Sequence, residues 1–230
     1  MGNKINSICL VPGIRVGHAQ DEKARTGCTV IIPEGGAVCG VDVRGSSPGT
    51  RELELLKPVR HVEKIHAILL TGSSAFGLDA ASGVQKYLEE RGIGYDVIVA
   101  KVPLVPTAVI FDLFVGDPKI RPDSRMGYTA CVNASAEEDR EGVVGVGTGA
   151  TVGKVGGMDG RSNGGVGTCA EVLDNGVVVG ALAVANSFGD VIGSGSGEIV
   201  GGNRQPDGSF LDSVEYLKHD IHRKYVIGYL

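Results

Sequence analysis

One lysine, Lys154, stands in a stretch of the chain where glycine is unusually dense. Residues 145–167 read GVGTGATVGKVGGMDGRSNGGVG and hold ten glycines. Glycine loses more backbone entropy on folding than any other residue, so this density indicates backbone at positive φ or in close contact with another group. Three kinds of segment fit these residue types: a cradle for phosphate, a flexible linker, or a catalytic cleft lined by backbone. A solvated lysine on a surface loop is the alternative that involves no chemistry.

The phosphate cradle can be tested against the two glycine motifs that bind nucleotides. A Walker A loop requires Gly, four residues and then Gly-Lys-Ser/Thr. Here Thr148 stands at the first glycine position, and Val155, which cannot ligate magnesium, follows the lysine. GVGTGA at 145–150 fits the dinucleotide pattern G-x-G-x-x-A, but more glycine follows where a helix would have to begin. Nucleotide binding by the 145–167 loop is therefore an alternative function.

No nucleophile can be recognised from its sequence context. The segment GSSAF has Phe76 where the G-x-S-x-G elbow requires its last glycine, and no Ser, His and Asp residues have the spacing of a triad. The five histidines are scattered, and neither His61 with His66 nor His219 with His222 has clustered carboxylates beside it. The sequence therefore predicts no metal site, and no motif points to a cofactor.

Length and composition are those of a globular protein. The 230 residues are 42% hydrophobic and 21% charged, and no linker divides them, so residues 1–230 are predicted to form a single domain. The net charge of −5 is spread along the chain, which argues against nucleic acid as a partner. The sequence contains no run of eighteen apolar residues, so no membrane span is predicted. Five dispersed cysteines without a CxxC pair indicate reduced thiols in the cytoplasm.

The elements that must position Lys154 belong to a mixed α/β chain in which strands outnumber helices. Apolar residues at helical spacing predict a helix over 77–92 that ends at Gly92. Asn175-Gly176 between two β-rich runs predicts a hairpin. The remaining predictions are two strands in 27–43 around a turn at 33–36, a buried strand at 65–70, a loop at 71–77, a strand at 95–106, a short helix at 128–139, and a tail with a helix from 212 and a strand at 225–230.

Five segments occur in one order along the chain: LVPGIRVGHAQDEKARTGCTVI, LLTGSSAFGLDAASGVQKYLEE, VPTAVIFDL followed by GDPKIRPD, GVGTGATVGK with GGVGT, and VVVGALAVANSFGDVIG. In these segments, from about Val11 onward, the chain resembles the self-cleaving aminopeptidase/D-amidase/D-esterase family, the DmpA-like peptidases, which includes nylon-oligomer hydrolases. The resemblance implies an α/β fold, a four-layer α/β/β/α sandwich of the N-terminal-nucleophile-hydrolase-like, DmpA/ornithine acetyltransferase type. It also implies a precursor that cuts itself before a Ser or Thr, which then becomes the nucleophile at the start of a β chain.

The family's nucleophile segment, Asn-Thr-Thr or Asn-Ser followed by a GVVAT-like strand, has no counterpart in this sequence. The chain stops at KYVIGYL, about where a relative's α chain ends, so by resemblance it is an α chain. We therefore expect a separate β chain with the Ser or Thr nucleophile, a homo-oligomer of αβ units, no cofactor, and cleavage of amide, peptide or ester bonds in small substrates. Besides nucleotide binding, a non-catalytic member of the same fold that only assembles is the alternative.

Two residues take catalytic roles by this resemblance. Asn186, in VANSFGDV, corresponds to the family's oxyanion-hole asparagine, whose amide can donate to a developing oxyanion. Lys154 corresponds to the TVGK lysine of the nylon-hydrolase branch, which lies close to the nucleophile. Its positive charge would keep the nucleophile's α-amino group neutral. From residue type alone, Asn186 is also compatible with a purely structural place in the turn before Gly189.

Two further positions bear on substrate choice. The aminopeptidase branch has a Glu-x-Tyr-Asp segment whose glutamate can bind a substrate's free amine. Aligned on Phe111-Asp112, this chain has Val109 at the glutamate position and Phe111 at the tyrosine position. The substrate pocket is therefore predicted to lack a counter-charge for an ammonium group and a hydroxyl donor, which favours an amidase over a strict aminopeptidase. A Phe-Asp pair in a core strand is the structural alternative.

Overall fold

The computed structural model describes residues 6–219 of the chain. This part contains α-helices, short 3₁₀ helices and many strands, several of only two residues. The α-helices are α1 (Ala80–Glu89), α2 (Ser124–Val132) and α3 (Ser213–His219). The 3₁₀ helices are Ile8–Leu10, Glu54–Leu56, Ser74–Asp79 and Gly145–Thr148. In chain order the strands are β1 (Ile14–Asp21), β2 (Thr26–Pro33), β3 (Thr50–Arg51), β4 (Ile68–Thr71), β5 (Tyr95–Asp96), β6 (Lys101–Val102), β7 (Thr107–Val109), β8 (Thr151–Val152), β9 (Ser162–Asn163), β10 (Gly165–Val172), β11 (Val178–Ala185), β12 (Val191–Ile192), β13 (Ile199–Gly201), β14 (Asn203–Arg204) and β15 (Phe210–Leu211).

The largest sheet has five strands in the order β1-β2-β4-β7-β3. Neighbouring strands are antiparallel except β4 and β7, which run parallel and are joined by a connection that contains α1. Strand β2 lies inside the sheet, and its residues Cys28, Thr29 and Val30 are fully buried. Because successive side chains of a strand point to opposite faces, this burial means that both faces of the sheet are covered.

Helices cover one face of this sheet, and a hairpin covers the other. Leu69 of β4 packs with Val84 of α1 and Ala130 of α2 in the main core cluster. Its neighbour Leu70 points to the opposite face and packs in a second cluster with Val166 of β10 and side chains of β11. The architecture is mixed α/β, as predicted from the sequence. The complete four-layer sandwich stays a prediction.

The predicted helix over 77–92 and the predicted hairpin are confirmed. The helix is α1, and Gly92, at φ 67°, lies just beyond its last turn. In the hairpin, β10 and β11 pair antiparallel along their whole length, and Gly176 takes φ 82° in the turn between them. The strand predicted at 65–70 is β4, which begins three residues later than expected and alternates between partly buried and fully buried residues.

Other helix predictions are correct in type but shifted along the chain. The helix predicted at 128–139 is α2, which begins earlier because the Asp123 carboxylate accepts a 2.9 Å hydrogen bond from a backbone N–H of its first turn. The loop predicted at 71–77 is wrong over most of its length, because Thr71 ends β4 and residues 74–77 belong to the 3₁₀ helix Ser74–Asp79. The helix predicted from residue 212 is α3. The strand predicted at 225–230 lies outside the described residues.

Two predicted strands are wrong. The second strand expected in 27–43 does not form, and residues 38–43 run along the surface, where Val38 is 82% exposed. The single strand expected at 95–106 is instead the short hairpin of β5 and β6, whose turn exposes Ile98 almost completely at φ 71°. Both errors have one cause: β-branched residues favour strands when a neighbouring layer packs on them, and these valines and isoleucines point into solvent.

Helices α1 and α2 approach each other closely through glycine. A Cβ added at Gly83 of α1 would lie 1.7 Å from the Ser124 carbonyl oxygen. A Cβ added at Gly127 of α2 would lie 1.9 Å from the Ala80 carbonyl oxygen. Each glycine therefore accommodates the backbone of the other helix, and the pair sets the spacing of the helical layer on the sheet.

We expect Gly83→Ala to lower the free energy of unfolding by about 2 kcal/mol, because the added Cβ must push the two helices apart in a packed core. Urea denaturation followed by circular dichroism measures the change. Gly40→Ala is the matched control, because a Cβ at Gly40 meets no atom within 4 Å. Equal stability of the two variants would contradict the close contact between the helices.

Candidate active site

The side chain of Lys154 is held by oxygen atoms from two distant segments of the chain. Its Nζ donates to the backbone carbonyl oxygens of Thr151 at 2.8 Å and Asn186 at 3.0 Å, and it lies 3.3 Å from that of Ser187. It also donates to the Asn186 side-chain Oδ1 at 3.0 Å. Three ammonium protons thus face four acceptors. A solvated surface lysine, the alternative that involved no chemistry, is ruled out by these contacts.

Asn186 follows the end of β11, and its carboxamide is fixed from both sides. Its Oδ1 accepts hydrogen bonds from Lys154 Nζ and from the Thr151 backbone N–H at 3.0 Å, while its Nδ2 donates to the Phe111 carbonyl oxygen at 3.1 Å. The first two partners can only donate and the third can only accept, so the orientation of the amide is determined. The second N–H of Nδ2 has no acceptor among residues 6–219.

Three of the residues selected from the sequence line one open concavity. Val109, Phe111 and Asn186 surround a space of about 690 Å³ where the end of β7 meets the end of β11. Lys154 lies behind Asn186 rather than in the wall. A second concavity of about 1090 Å³ shares Val109 and Phe111 and extends beneath the loop at 39–50. The structure therefore brings all four predicted site residues together. The purely structural interpretation of Phe111, a place in a core strand, does not fit, because Phe111 lies beyond β7 and is half-buried.

The charge state of Lys154 is sensitive to its surroundings. Burial, together with the positive charge of Arg161, lowers the pKa of Lys154 to about 8. In its charged form the ammonium group donates to Asn186 Oδ1, which polarises the carboxamide and strengthens Nδ2 as a donor. The strength of Asn186 Nδ2 as a hydrogen-bond donor therefore depends on pH in the range where Lys154 changes charge.

Asp112 is buried behind the wall of the concavity. Its Oδ1 accepts from the Ser73 backbone N–H at 2.6 Å and its Oδ2 from the Thr26 hydroxyl at 2.8 Å. Burial raises the pKa of this carboxyl group. Because its oxygens are engaged inside the protein, Asp112 does not offer a counter-charge to a ligand. It anchors the segment in which the Phe111 carbonyl orients Asn186.

The glycine-rich stretch is neither a linker nor an open phosphate cradle. Residues 144–153 are all buried, and a 3₁₀ helix and β8 lie within this range. The Lys154 amine, which would have to contact a phosphate, is directed at carbonyl oxygens instead. Nucleotide binding by the 145–167 loop therefore finds no support in the geometry.

Sequence reasoning missed Thr151, which touches both members of the pair. Its carbonyl oxygen accepts from Lys154 and its N–H donates to Asn186, so it acts only through the main chain. No residue-type signal could have revealed it, since any residue with this backbone would supply the same two groups.

Metal ligands, thiols and long apolar helices are the other features that could define a site. Within residues 6–219, no three His, Cys, Asp or Glu side chains are grouped so that they could hold a metal ion. All five cysteines lie in this range, and each is a free thiol. Across the same residues, no helix is both long and apolar enough to cross a membrane.

Solved structures share this fold. The chain superimposes with a TM-score of 0.63 on the L-aminopeptidase D-Ala-esterase/amidase of Ochrobactrum anthropi, a variant of the Ntn hydrolase fold, at 20% identity over 79% of this chain and 53% of the other. A Burkholderia sp. beta-aminopeptidase gives a TM-score of 0.58 and 26% identity over 80% of this chain and 52% of the other. The chain thus has the fold of the Ntn hydrolases.

The sequence places the chain within one family of that fold. The model of Peptidase family S58 matches residues 6–211. The chain belongs to Peptidase family S58, which confirms the resemblance found in the sequence motifs.

Curated relatives agree with this assignment. An uncharacterised aminopeptidase of Mycobacterium tuberculosis (strain ATCC 25618 / H37Rv) is 46% identical over 201 residues, which are 84% of this chain and 56% of the relative. A 6-aminohexanoate-oligomer endohydrolase of Kocuria sp. (strain KY2) is 35% identical over 192 residues, which are 84% of this chain and 51% of the relative. The chain thus spans about half the length of the curated relatives it matches.

The lowered pKa of Lys154 predicts how stability depends on pH. Between pH 8 and about 10.4, the ordinary lysine value, the unfolded chain holds more protons at this site than the folded chain. The free energy of unfolding should therefore rise with pH in this window. The melting temperature of wild type, measured from pH 7 to 10 relative to Lys154→Met, should increase above pH 8. Parallel curves for the two proteins would contradict the lowered pKa.

Proposed function

We propose that this chain is the α part of a self-processed N-terminal-nucleophile hydrolase that cleaves amide or peptide bonds of small substrates. The nucleophilic Ser or Thr is carried by a β chain that follows the self-cleavage site. The observation that carries this proposal is the Lys154–Asn186 pair in a member of Peptidase family S58: Asn186 lines an open concavity, and one of its amide N–H groups has no acceptor among residues 6–219.

The pair fits the needs of acyl transfer. The hydroxyl oxygen of the nucleophile attacks the substrate carbonyl carbon, and its proton passes to the nucleophile's own α-amino group. That group has an ordinary pKa of about 7.7–8.0, which suits proton transfer near neutrality. The resulting ammonium returns the proton to the leaving amine, and water then hydrolyses the acyl-enzyme ester.

Asn186 and Lys154 act on different charges in this sequence. The free N–H of Asn186 Nδ2 donates to the oxyanion of the tetrahedral intermediate, where one such donor contributes a factor of about 100 to 1000 in rate. The Lys154 ammonium strengthens that donor through Oδ1 and disfavours a second positive charge nearby, which keeps the nucleophile's α-amino group neutral and able to accept a proton.

The remaining parts of the proposal concern assembly and location. The complete protein is a four-layer α/β/β/α sandwich in which the β chain completes the layers, and αβ units associate into a homo-oligomer. The five free thiols fit a reducing compartment, so we place the protein in the cytoplasm.

Val109 directs the choice of substrate. Its apolar side chain forms part of the concavity, and Asp112 is turned into the protein interior, so neither binds a substrate ammonium. An ammonium group left unpaired beside Val109 costs several kcal/mol of desolvation, on the order of 3 or more. N-blocked and internal amides and esters should therefore be cleaved at least as well as free-amine substrates, as the name of the endohydrolase relative also suggests.

The catalytic role is tested in the full-length protein with Asn186→Asp. This variant keeps the oxygen that contacts Lys154 and loses the N–H that binds the oxyanion, so kcat for an amide should fall about 100-fold or more with little change in KM. Self-cleavage of the precursor should slow as well, and Lys154→Ala should slow both reactions.

Asn133→Asp is the matched control for this experiment. It makes the same chemical change at an amide that donates to the His18 carbonyl at 2.9 Å, away from the concavity. A folded Asn186→Asp protein that keeps kcat within a factor of three of this control would rule out the oxyanion role.

Substrate choice is tested with a pair of p-nitroanilides, one aminoacyl and one N-acetylated, assayed on the mature enzyme. Because Val109 stands at the glutamate position and Asp112 is engaged in the interior, kcat/KM for the acetylated compound should equal or exceed that for the free amine. A hundredfold preference for the free amine, about 2.7 kcal/mol in transition-state binding, would mean that another acidic group, such as Asp190 in the wall of the concavity or one on the β chain, binds the ammonium.

A further inference from the structure

The loop at 153–161, between β8 and β9, carries Lys154 and folds around the side chain of Asn203. Asn203 is 3% exposed. The Asn203 Nδ2 donates to the carbonyl oxygens of Gly153 and Gly157, each at 2.9 Å, so both of its N–H groups are used on this loop. Its Oδ1 accepts from the Gln205 side chain at 3.0 Å. One buried carboxamide thus connects the residue before Lys154 with the residue three positions after it.

The glycines of this loop are explained by the same carboxamide. A Cβ at Gly156 would lie 2.8 Å from Asn203 Oδ1, and one at Gly160 would lie 2.4 Å from it. Gly153 takes φ 70°, and its Cβ would lie 2.1 Å from the Asn203 backbone nitrogen. Side chains at these three positions would expel Asn203 or move the loop, so glycine is required where the backbone encloses the amide.

On its other side the loop is bound to the segment that follows Asn186. The Gly153 N–H donates to the Gly189 carbonyl oxygen at 2.9 Å, and the Lys154 N–H donates to the Phe188 carbonyl oxygen at 2.7 Å. These bonds connect the loop to the Asn186 segment, and Asn203 holds the loop from the side of β14. Without the Asn203 amide, the carbonyl oxygen of the buried Gly153 would lose a donor that it cannot replace within the packed interior, and the exposed Gly157 would lose its connection to Asn203.

We infer that Asn203 is a positioning residue for Lys154: its carboxamide fixes the backbone on both sides of the lysine so that Nζ reaches Asn186 and stays shielded from water. Asn203 lines neither of the two concavities beside Asn186, so it acts through the lysine and not on the substrate. The catalytic consequence rests on the proposed function, whereas the effect on the lysine itself does not.

The experiment measures Lys154 directly in full-length Asn203→Ala and Asn203→Asp. Competitive labelling with trace acetic anhydride across pH, read by mass spectrometry of the Lys154 peptide, gives the pKa of its amine. The wild-type pKa of about 8 should rise by about one unit or more in both variants, because a loosened loop lets water reach the ammonium group. The kcat for an amide should fall about tenfold or more, with KM changed less than twofold.

Asn133→Asp is again the control, because it alters an exposed asparagine whose amide donates to the His18 carbonyl and not to the loop of Lys154, so it should leave the pKa of Lys154 unchanged. If the Asn203 variants fail to fold, Gly160→Ala tests the same contact from the loop side by displacing Asn203 Oδ1, and it should raise the pKa of Lys154 in the same direction.

The possible results separate the two proposals. A folded variant with a lower melting temperature, in which Lys154 still titrates near 8, would overturn the positioning role. A wild-type protein without amide hydrolysis would overturn the proposed function, and the pKa comparison would still decide the role of Asn203.

Discussion

A partly buried ammonium group must be satisfied by hydrogen bonds, because burial without them drives it to lose its proton or move into solvent. Lys154 meets this requirement with oxygens from two segments, Thr151 at the start of β8 and 186–187 after β11. The oxygen atoms that surround Lys154 Nζ therefore fix the distance between β8 and the end of β11. The glycine-rich loop and the carboxamide of Asn186 both take their positions from this constraint.

The constraint extends from Lys154 to the central sheet. Asn186 Nδ2 donates to the Phe111 carbonyl oxygen. The residue after Phe111, Asp112, is anchored by the Ser73 N–H and the Thr26 hydroxyl. Thr26 begins β2, so the chain of contacts leads from the hairpin layer into an inner strand of the five-stranded sheet. The concavity lies where these two layers meet, which explains why residues distant in sequence form its wall.

Local rules predicted the parts of this structure that depend on neighbouring residues. The β10–β11 hairpin follows from Asn175-Gly176, and α1 follows from its apolar face. The second strand expected in 27–43 and the single strand expected at 95–106 were wrong because they required a covering layer, which a local pattern of valine and isoleucine does not reveal. For the site, residue type alone favoured a surface lysine at Lys154, and only the resemblance to a family paired it with Asn186.

The contacts that decide the site are long-range and partly made by the main chain, which explains what the sequence could not provide. Thr151 and Ser187 contribute carbonyl oxygens that any residue would supply in the same conformation. Asn203 lies some fifty residues from Lys154, and nothing in its local sequence distinguishes it from an asparagine in a loop. The excess of glycine was the one sequence feature that reflects the contacts of Asn203. It indicated close backbone contact without identifying the group in contact.

The use of carbonyl oxygens around Lys154 has an evolutionary consequence. Sequence drift at positions 151 and 187 changes side chains but leaves three of the four acceptors chemically identical, so the ammonium site tolerates divergence in the residues that form it. The positions that must be conserved are instead Asn186 and the glycines at 153, 156 and 160, where a Cβ has no room. Between distant relatives, the positions with no side chain should therefore diverge more slowly than the neighbours that contact the lysine.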